Sequence, residues 1–220
     1  MNSIPFVENH PDDMHCVSAV FRMIHQYYFG YDLSWGQIDE LMKATAGKAT
    51  WTFVGETEFA KKGLAVKNIE PLDYEKLHME GMEYLKSIMN EDVYRYHQTK
   101  SNIQSVIPHI PAYLKHVTHE TRKTLTKELI GELKKGNLVA VEVNARILND
   151  LPGFNLHMVL LYGYDGKHIF LHDPGLPPRK ARKVSVKKFE QCFNFMGANG
   201  AVTIFSGNSF HETSTTGKTN

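Results

Sequence analysis

The sequence predicts an α+β domain, because segments with helical periodicity come first and strand-like segments cluster toward the end. One helix face is indicated by apolar residues spaced i, i+3, i+4 and i+7, namely Val17, Val20, Phe21 and Ile24. Near the C-terminus, short apolar runs bounded by turn residues predict strands. This order favours helices packed on an antiparallel sheet over a doubly wound arrangement of alternating strands and helices.

The length and composition point to one compact, folded unit. The chain has 220 residues, of which 42% are hydrophobic and 22% charged, which excludes a fibrous or disordered protein. Its net charge of +1 provides no overall field for collecting nucleic acid or an anionic membrane. The longest apolar runs, 138–143 and 158–161, are far shorter than the roughly 20 residues of a spanning helix. Residues 1–7 also lack the features of a signal peptide. We expect a cytoplasmic protein with no nucleic-acid or membrane partner.

The helices of the first third can be placed by their periodicity and end signals. The first follows Cys16 over 17–29 and ends at Gly30. A second is expected at 35–42 and a third at 52–62, before Gly63. The run 64–69 then reads as a strand.

The remaining chain divides into a helical segment and a strand-rich segment. Residues from about 74 to 119 are polar and helix-rich, and we interpret them as a helical insert or cap. An amphipathic helix near 125–133 ends at Gly136 and precedes strands at 138–143, 157–164, 167–173 and 201–205. We predict a single domain over 1–205, followed by a disordered polar tail over 206–220.

Two cysteines stand beside twelve histidines. A cytosolic chain of this length does not need a disulfide, so free thiols are expected. Cys192 shares helical spacing with Phe189 and Phe193, which indicates core packing. A mixed metal site of His10, His15 and Cys16 is the weaker alternative to a nucleophilic role for Cys16, and we predict no metal and no cofactor.

Cys16 opens a hydrophobic helix, where the free N–H groups and the helix dipole favour a thiolate over a thiol. This placement suits a nucleophile, although a buried cysteine at a helix start has the same pattern. The case for catalysis therefore also depends on residues later in the chain.

A hairpin turn at Asp165 and Gly166 predicts how a histidine and an aspartate meet. A three-residue loop with Gly166 in a bulge sets Val159 opposite Leu171 and His157 opposite Asp173. Cross-strand Cβ atoms lie about 5 Å apart. The carboxylate would orient the imidazole, and the imidazole would hold the Cys16 thiolate and protonate a leaving group.

Several motifs resemble the papain-like cysteine peptidases that process bacteriocins at a double-glycine leader. The resemblance is carried by residues 4–7 (Ile-Pro-Phe-Val), 27–30, 136–139, 156–165 and 171–175. Its most specific part is the histidine strand, the Gly-Tyr-Asp turn and the Asp-Pro ending. It implies a papain-like fold, with the cysteine helix packed on an antiparallel sheet, and a catalytic triad of Cys16, His157 and Asp173.

The oxyanion hole departs from the pattern of that family. The family often has Asp-Cys-Gly at the nucleophile, whereas this chain has His15, Cys16 and Val17. The family's glutamine six residues before the cysteine corresponds to His10, but aligning the Ile-Pro-Phe start brings Asn9 to that place. Asn9 is our first candidate donor and His10 the second, beside the backbone N–H of Cys16.

A second resemblance leaves the acceptor of the reaction open. His15-Cys16, the hydrophobic helix and residues 32–34 (Asp-Leu-Ser) are similar to butirosin-biosynthesis acyltransferases, which move an acyl group from a carrier thioester to an amine. The alternatives to a hydrolase are therefore an acyltransferase with an acyl-carrier or peptide-carrier protein as partner, or a catalytically silent binding module. A basic groove would favour the carrier, apolar subsites a peptide, and a missing pocket the silent module.

Two charged features complete the set of candidate residues. A basic run over 179–188 follows Asp173, and we expect Arg179 and Lys180 to bind acidic substrates or a carrier. A solvated loop and helix start is the plainer interpretation of that run. Glu142 lies between Val141 and Val143, so alternation predicts an outward position, with the cleft as the alternative.

Overall fold

The computed structural model describes residues 4–195 and 200–207. The helices are α1 (Cys16–Phe29), α2 (Trp35–Met42), α3 (Phe53–Lys61), α4 (Tyr74–Glu80), α5 (Met82–Ile88), α6 (Glu91–Lys100), α7 (Ile103–Val106), α8 (Ile110–His116), α9 (Thr126–Lys134), α10 (Ala145–Leu148) and α11 (Val186–Phe193), with a 3-10 turn at Ile107–His109. The strands are β1 (Ala65–Glu70), β2 (Thr118–Thr121), β3 (Leu138–Asn144), β4 (Leu156–Tyr164), β5 (His168–Asp173), β6 (Arg179–Ser185) and β7 (Val202–Ser206).

The strands form one sheet in the order β2-β1-β7-β3-β4-β5-β6. All neighbouring pairs are antiparallel except β1 and β2, which run parallel at one edge. The sheet is therefore antiparallel, as the sequence predicts, apart from that edge pair. The predicted polar tail begins inside β7, which ends at Ser206, and its part from 208 to 220 lies outside the described residues.

Apolar layers cover both faces of the sheet, as β3 illustrates. Its residues Leu138 and Ala140 belong to the cluster formed with α1, whereas Val139, Val141 and Val143 belong to a second cluster with α9 and α11. A strand buried on both faces has a continuous apolar run rather than simple alternation. The unbroken run before Glu142 is explained by this two-sided burial.

The helices after β1 pack on the same core as α1. Tyr74, Leu77, Ile110 and Tyr113 are buried and join the cluster that contains Phe21 of α1. The segment ends in β2, a strand that hydrophobic patterning did not reveal because its four residues, Thr-His-Glu-Thr, are polar. These helices form one side of the cleft described below.

Residues 179–185 form an edge strand, so the interpretation of the basic run as a loop is wrong there. Among the strands of the described residues, β6 pairs only with β5, along the sheet edge. Charged residues are common on edge strands because they discourage pairing with other chains. This explains how the sequence Arg-Lys-Ala-Arg-Lys-Val-Ser can be a strand.

The register predicted for the β4–β5 hairpin is also wrong. Leu161 pairs with Leu171 and Leu160 with His172, and an irregularity between Leu161 and Gly163 shifts the pairs nearer the turn. Relative to the predicted register, the part of β4 near the site is displaced by two residues against β5. Because the displacement is even, the side chains of His157 and Asp173 stay on the same face of the sheet. They become diagonal rather than directly opposite neighbours.

Among residues 4–195 and 200–207, no helix has both the length and the apolar character that a membrane crossing requires.

Candidate active site

Cys16 is the first residue of α1, and the segment before it is tied down by Asn9. The Oδ1 atom of Asn9 accepts a hydrogen bond from the backbone N–H of His15 over 3.0 Å. The backbone N–H of Asn9 in turn donates to the carbonyl of Pro174 over 2.8 Å. These contacts connect the approach to Cys16 with the chain that leaves β5. The helix itself is fixed by its buried face, including Val20 and Ile24, and ends at Gly30 with a φ of 83°.

His157 and Asp173 form a buried hydrogen-bonded pair. The Nε2 atom of His157 lies 2.8 Å from Oδ1 of Asp173, and the two residues are 7% and 4% exposed. His157 is near the start of β4 and Asp173 is the last residue of β5. The backbone N–H of Gly175 also donates to Oδ1 of Asp173 over 3.1 Å. The Asp173 carboxylate is therefore held both by the backbone N–H of Gly175 and by the imidazole of His157.

The protonation of this pair follows from burial and charge. Burial alone would lower the pKa of His157, but its hydrogen bonds with Asp173 and Cys16 outweigh that effect and raise the pKa to about 10. Burial would raise the pKa of Asp173, yet the hydrogen bond and charge of His157, with Gly175 and Arg182, lower it. An ionised carboxylate beside an imidazolium is thus the favoured state.

The structure brings all three predicted triad residues together. Cys16 interacts with the His157 side chain and both residues line one cleft. Since Nε2 of His157 is bonded to Asp173, Nδ1 is the ring nitrogen left to interact with the thiol. An orienting acid, a ring and a thiol in this sequence of contacts can activate a nucleophile for attack on a carbonyl.

Arg182 is a contributor to the site that sequence reasoning missed. Its Nη1 atom donates to Oδ2 of Asp173 over 2.8 Å and to Oδ1 of Asn149 over 2.9 Å. Nη2 is bonded to the carbonyl of Leu148. Recognising β6 as an edge strand beside β5 would have placed an alternate residue of the basic run next to Asp173.

The other predicted anion-binding residues lie apart from the cleft. Arg179 and Lys180 are exposed on β6 and do not line it. Lys183 is paired with Asp165 at 2.8 Å, and Lys188 with Asp150. With Arg182 on Asp173, half of the six cations of the run are already bonded to carboxylates.

The two candidate oxyanion donors have other partners. Asn9 is 6% exposed, and its Nδ2 donates one hydrogen bond to Oδ1 of Asp13 over 3.0 Å. The His10 ring is centred 4.9 Å from the His15 ring and tilted by 51° to it, and its Nδ1 atom lies 3.2 Å from Asp12. Neither lines the cleft at Cys16, although Asp13 does. The first backbone N–H groups of a helix lack intrahelical acceptors, which leaves the N–H of Cys16 as a donor at the thiol itself.

His10 also belongs to the group of possible metal-ligating side chains in the described part of the chain. The potential ligand atoms of His10, Asp12 and His15 lie within 4.8 Å of one another. Asp12 replaces Cys16 in the mixed set considered from the sequence. Cys16 interacts with His157 instead, and Cys192 is fully buried beside Phe189 and Phe193.

The cleft continues from Cys16 into a cavity of about 140 Å³ that contains acidic side chains. Glu142 lines it together with Glu70, so the expectation that Glu142 faces outward is wrong. Alternation along β3 places Glu142 on the same face as Leu138 and Ala140, which pack toward α1. That alternation was available in the sequence, but the burial of both sheet faces was not.

Comparisons with known proteins point to one family. The model of the Peptidase_C39 like family matches residues 2–201, and no curated protein matches. One similar solved structure is described as a C39-like peptidase from Bacillus anthracis, with 26% identity and a TM-score of 0.30, covering 38% of this chain and 48% of that one. This chain therefore spans about half the length of that protein. Another is the peptidase domain of Streptococcus ComA, a bifunctional ABC transporter in quorum sensing, with 13% identity and a TM-score of 0.48, covering 94% and 100%.

The family match confirms the predicted fold class, which is the papain-like α+β fold of cysteine peptidases.

Proposed function

Since the chain belongs to the Peptidase_C39 like family, we propose that it is a cysteine hydrolase that cleaves a peptide or other amide bond through Cys16, His157 and Asp173. The observation that carries the proposal is the buried 2.8 Å contact between His157 and Asp173, with Cys16 interacting with the same imidazole. The cleft beside the thiol provides space for a substrate.

In the first half of the reaction, the Cys16 thiolate attacks the substrate carbonyl and forms a C–S bond. The carbonyl oxygen becomes an oxyanion, which the N–H of Cys16 would stabilise. Asn9, or His10 as the alternative, would become a second donor after its side chain turns toward the thiol, since neither lines the cleft in this structure. The imidazolium of His157 then gives its proton to the leaving nitrogen as the C–N bond breaks. The products of this step are a free amine and a thioester on Cys16.

In the second half, neutral His157 takes a proton from water as the water oxygen attacks the thioester. The C–S bond breaks, the acid leaves, and thiolate and imidazolium are restored. Asp173 remains ionised throughout, and its contacts with Arg182 and Gly175 keep it in place to stabilise the imidazolium.

The lining of the cleft supports hydrolysis of an amide over the alternatives. The cavity beside the thiol is not the basic groove that an acidic carrier would need. Glu70 and Glu142 line it, whereas Arg179 and Lys180 do not. A catalytically silent binding module would not require the Cys16 thiol and the His157 imidazole to line the same cavity. Apolar lining from Trp51 and Met158 suits a peptide-like chain.

Trapping of the acyl-enzyme tests this proposal. The full chain is incubated with activated N-acyl amide substrates of varied side chain, quenched in acid and analysed by mass spectrometry. We expect a thioester on Cys16 and amine release, both absent in Cys16→Ala and retained in Cys192→Ala. Amine release without a Cys16 adduct, or unchanged release by Cys16→Ala, would rule out the proposed nucleophile.

A further inference from the structure

The cavity beside Cys16 contains buried carboxyl groups that the proposed reaction does not use. Glu70 is 6% exposed, and its Oε1 accepts a hydrogen bond from Tyr74 over 2.8 Å. Glu142 extends from β3, and its Oε2 atom has neither solvent contact nor a hydrogen-bond partner in the described part of the chain. Behind them Glu56 is fully buried, with Thr203 donating to its Oε1 over 2.6 Å.

These carboxyl groups act on one another rather than on cations. Burial, then the charges of Glu142 and Glu56, raise the pKa of Glu70 to about 8. Burial and Glu56 raise the pKa of Glu142 to about 7. Within residues 4–195 and 200–207, no lysine or arginine makes an ion pair with any of the three. Buried acids without counter-charges destabilise a fold, so their retention beside Cys16 indicates a role other than stability.

A separate observation points to a ligand at the same place. His97 lines the cavity, is 7% exposed, and its Nδ1 atom has no partner in the described residues. Burial lowers the pKa of this histidine to about 4, so the ring is neutral at physiological pH. A neutral imidazole and two carboxyl groups are acceptors for a donor-rich cation. None of the three groups carries a positive charge that would repel this cation.

The cavity is large enough for such a group. Its volume of about 140 Å³ compares with the ~15 Å³ that one water needs on the same measure. Its walls combine the acidic groups with apolar side chains such as Trp51, Val17 and Met158. An alkyl chain that ends in a charged nitrogen matches both parts.

We propose that Glu142, Glu70 and His97 form a subsite that binds an alkylammonium or guanidinium group of the substrate beside Cys16. The assignment of the cation to a substrate rests on the proposed function. The binding of a cation to the subsite does not depend on it. The positive group supplies the missing counter-charge, and the apolar wall receives the methylenes that carry it. The expected source is a lysine-like or arginine-like side chain of the amide substrate.

Binding is tested in the Cys16→Ala protein, so that no turnover is needed. Isothermal titration with pentylammonium chloride is compared with 1-pentanol at about pH 8, since both acids can then ionise. We expect pentylammonium to bind at least about tenfold more tightly than the alcohol, and Glu142→Gln to remove that preference. Glu70→Gln is the second variant, and Glu83→Gln, an exposed residue outside the cavity, is the matched control.

Equal affinity for the two probes, or equal effects of Glu142→Gln, Glu70→Gln and Glu83→Gln, would overturn the subsite. Peptide amides with lysine or norleucine in matched positions then test the source of the cation in the active protein. We expect at least about tenfold higher kcat/KM for one lysine position, lost in Glu142→Gln. Equal kcat/KM for every lysine and norleucine pair would overturn the side-chain source.

A free amine is the other source of the same chemistry. In that case bound pentylammonium would first give one proton to a carboxylate of the subsite. The resulting amine would replace water in the second half of the reaction, giving a second proton to His157 as its nitrogen forms the new C–N bond and the C–S bond breaks. An N-pentyl product found by mass spectrometry would keep the cation subsite and assign it to an acceptor. Failure of all turnover, with tight pentylammonium binding, would reject the hydrolase and leave the cation subsite standing.

Discussion

Arg182 holds the side of Asp173 that His157 does not use. Its Nη1 atom donates to Oδ2 of Asp173 over 2.8 Å, whereas Oδ1 of the same carboxylate faces the imidazole. The Arg182 side chain is 13% exposed, and its guanidinium is itself fixed by Asn149 and the carbonyl of Leu148. A planar cation with several anchored donors restricts a carboxylate more than a flexible one does. Arg182 is therefore a positioning residue for the pair.

Replacing Arg182 tests this role. We expect Arg182→Ala to lower the rate of Cys16 alkylation near pH 6 by about tenfold, because Asp173 loses its orientation and a stabilising charge. Arg182→Lys should restore part of the rate, and Lys180→Ala, an exposed neighbour, should leave it unchanged. A purely structural role would give a lower melting temperature with an unchanged pH profile for the folded protein.

Gly175 packs against the same pair. A Cβ atom added there would lie 3.0 Å from Oδ1 of Asp173 and 3.3 Å from Nε2 of His157. We expect Gly175→Ala to lower kcat/KM for amide hydrolysis by at least about tenfold, because the side chains of Asp173 and His157 must shift by a few tenths of an ångström to admit the methyl group. Gly131→Ala is the control, since its added Cβ meets nothing within 4 Å. Wild-type kcat/KM in Gly175→Ala would show that the close packing is not needed.

Asn9 and His10 can be separated as oxyanion donors. Alkylation of Cys16 forms no oxyanion, whereas amide hydrolysis does, so a lost donor should affect only hydrolysis. We expect Asn9→Ala to lower kcat by about 100-fold and His10→Ala to have little effect, with alkylation rates unchanged in both. If Asn9→Ala slows alkylation and hydrolysis equally, the hydrogen bond from His15 to Asn9 serves only to place the helix start.

The buried acids make stability depend on pH. The pKa of Glu70 rises from its ordinary 4.5 to about 8 in the folded chain, mainly through burial. Below about pH 4.5 the group is neutral in both states, and stability falls as the pH rises toward about 8, since only the unfolded state ionises freely. In chemical denaturation, the free energy of unfolding should fall between about pH 5 and about pH 8 in both proteins. The fall should be smaller in Glu70→Gln than in wild type by at least about 1 kcal/mol.

The matched control for that experiment is Glu83→Gln, whose side chain is exposed. Taking the difference from wild type also removes the contribution of His157. Its raised pKa of about 10 gives stability that is complete below its ordinary value of 6.5 and lost as the pH rises toward 10. Parallel stability curves for Glu70→Gln and wild type would mean that Glu70 is ionised when folded.

Local patterns predicted much of the fold because they depend on neighbours in sequence. The start of α1 at Cys16, the bounds of α2 and the end of β5 at Asp173 all follow from periodicity and turn residues. β2 and β6 were missed because edge strands need few apolar residues. The hairpin register failed because the irregularity near Gly163 is a property of the paired strands and has no mark in either one.

The residues of the candidate site likewise fall into those that could be predicted from local sequence and those that could not. Cys16, His157 and Asp173 carry distinctive residue types at element ends, so sequence reasoning could group them before the geometry was known. Arg182 and Glu142 looked like solvated charges, because their roles depend on which strand or helix lies beside them. Glu70 comes from β1, and its place near Cys16 results from the assembly of the whole sheet.

The pH dependence of Cys16 alkylation tests the central claim most directly. Iodoacetamide labelling is followed by mass spectrometry of the peptides containing Cys16 and Cys192, in wild type, His157→Ala and Asp173→Asn. The account predicts rapid labelling of Cys16 near pH 6, lost in His157→Ala and reduced in Asp173→Asn, with Cys192 protected by burial. Labelling of Cys16 only above about pH 8, equal in wild type and His157→Ala, would contradict an activated thiol.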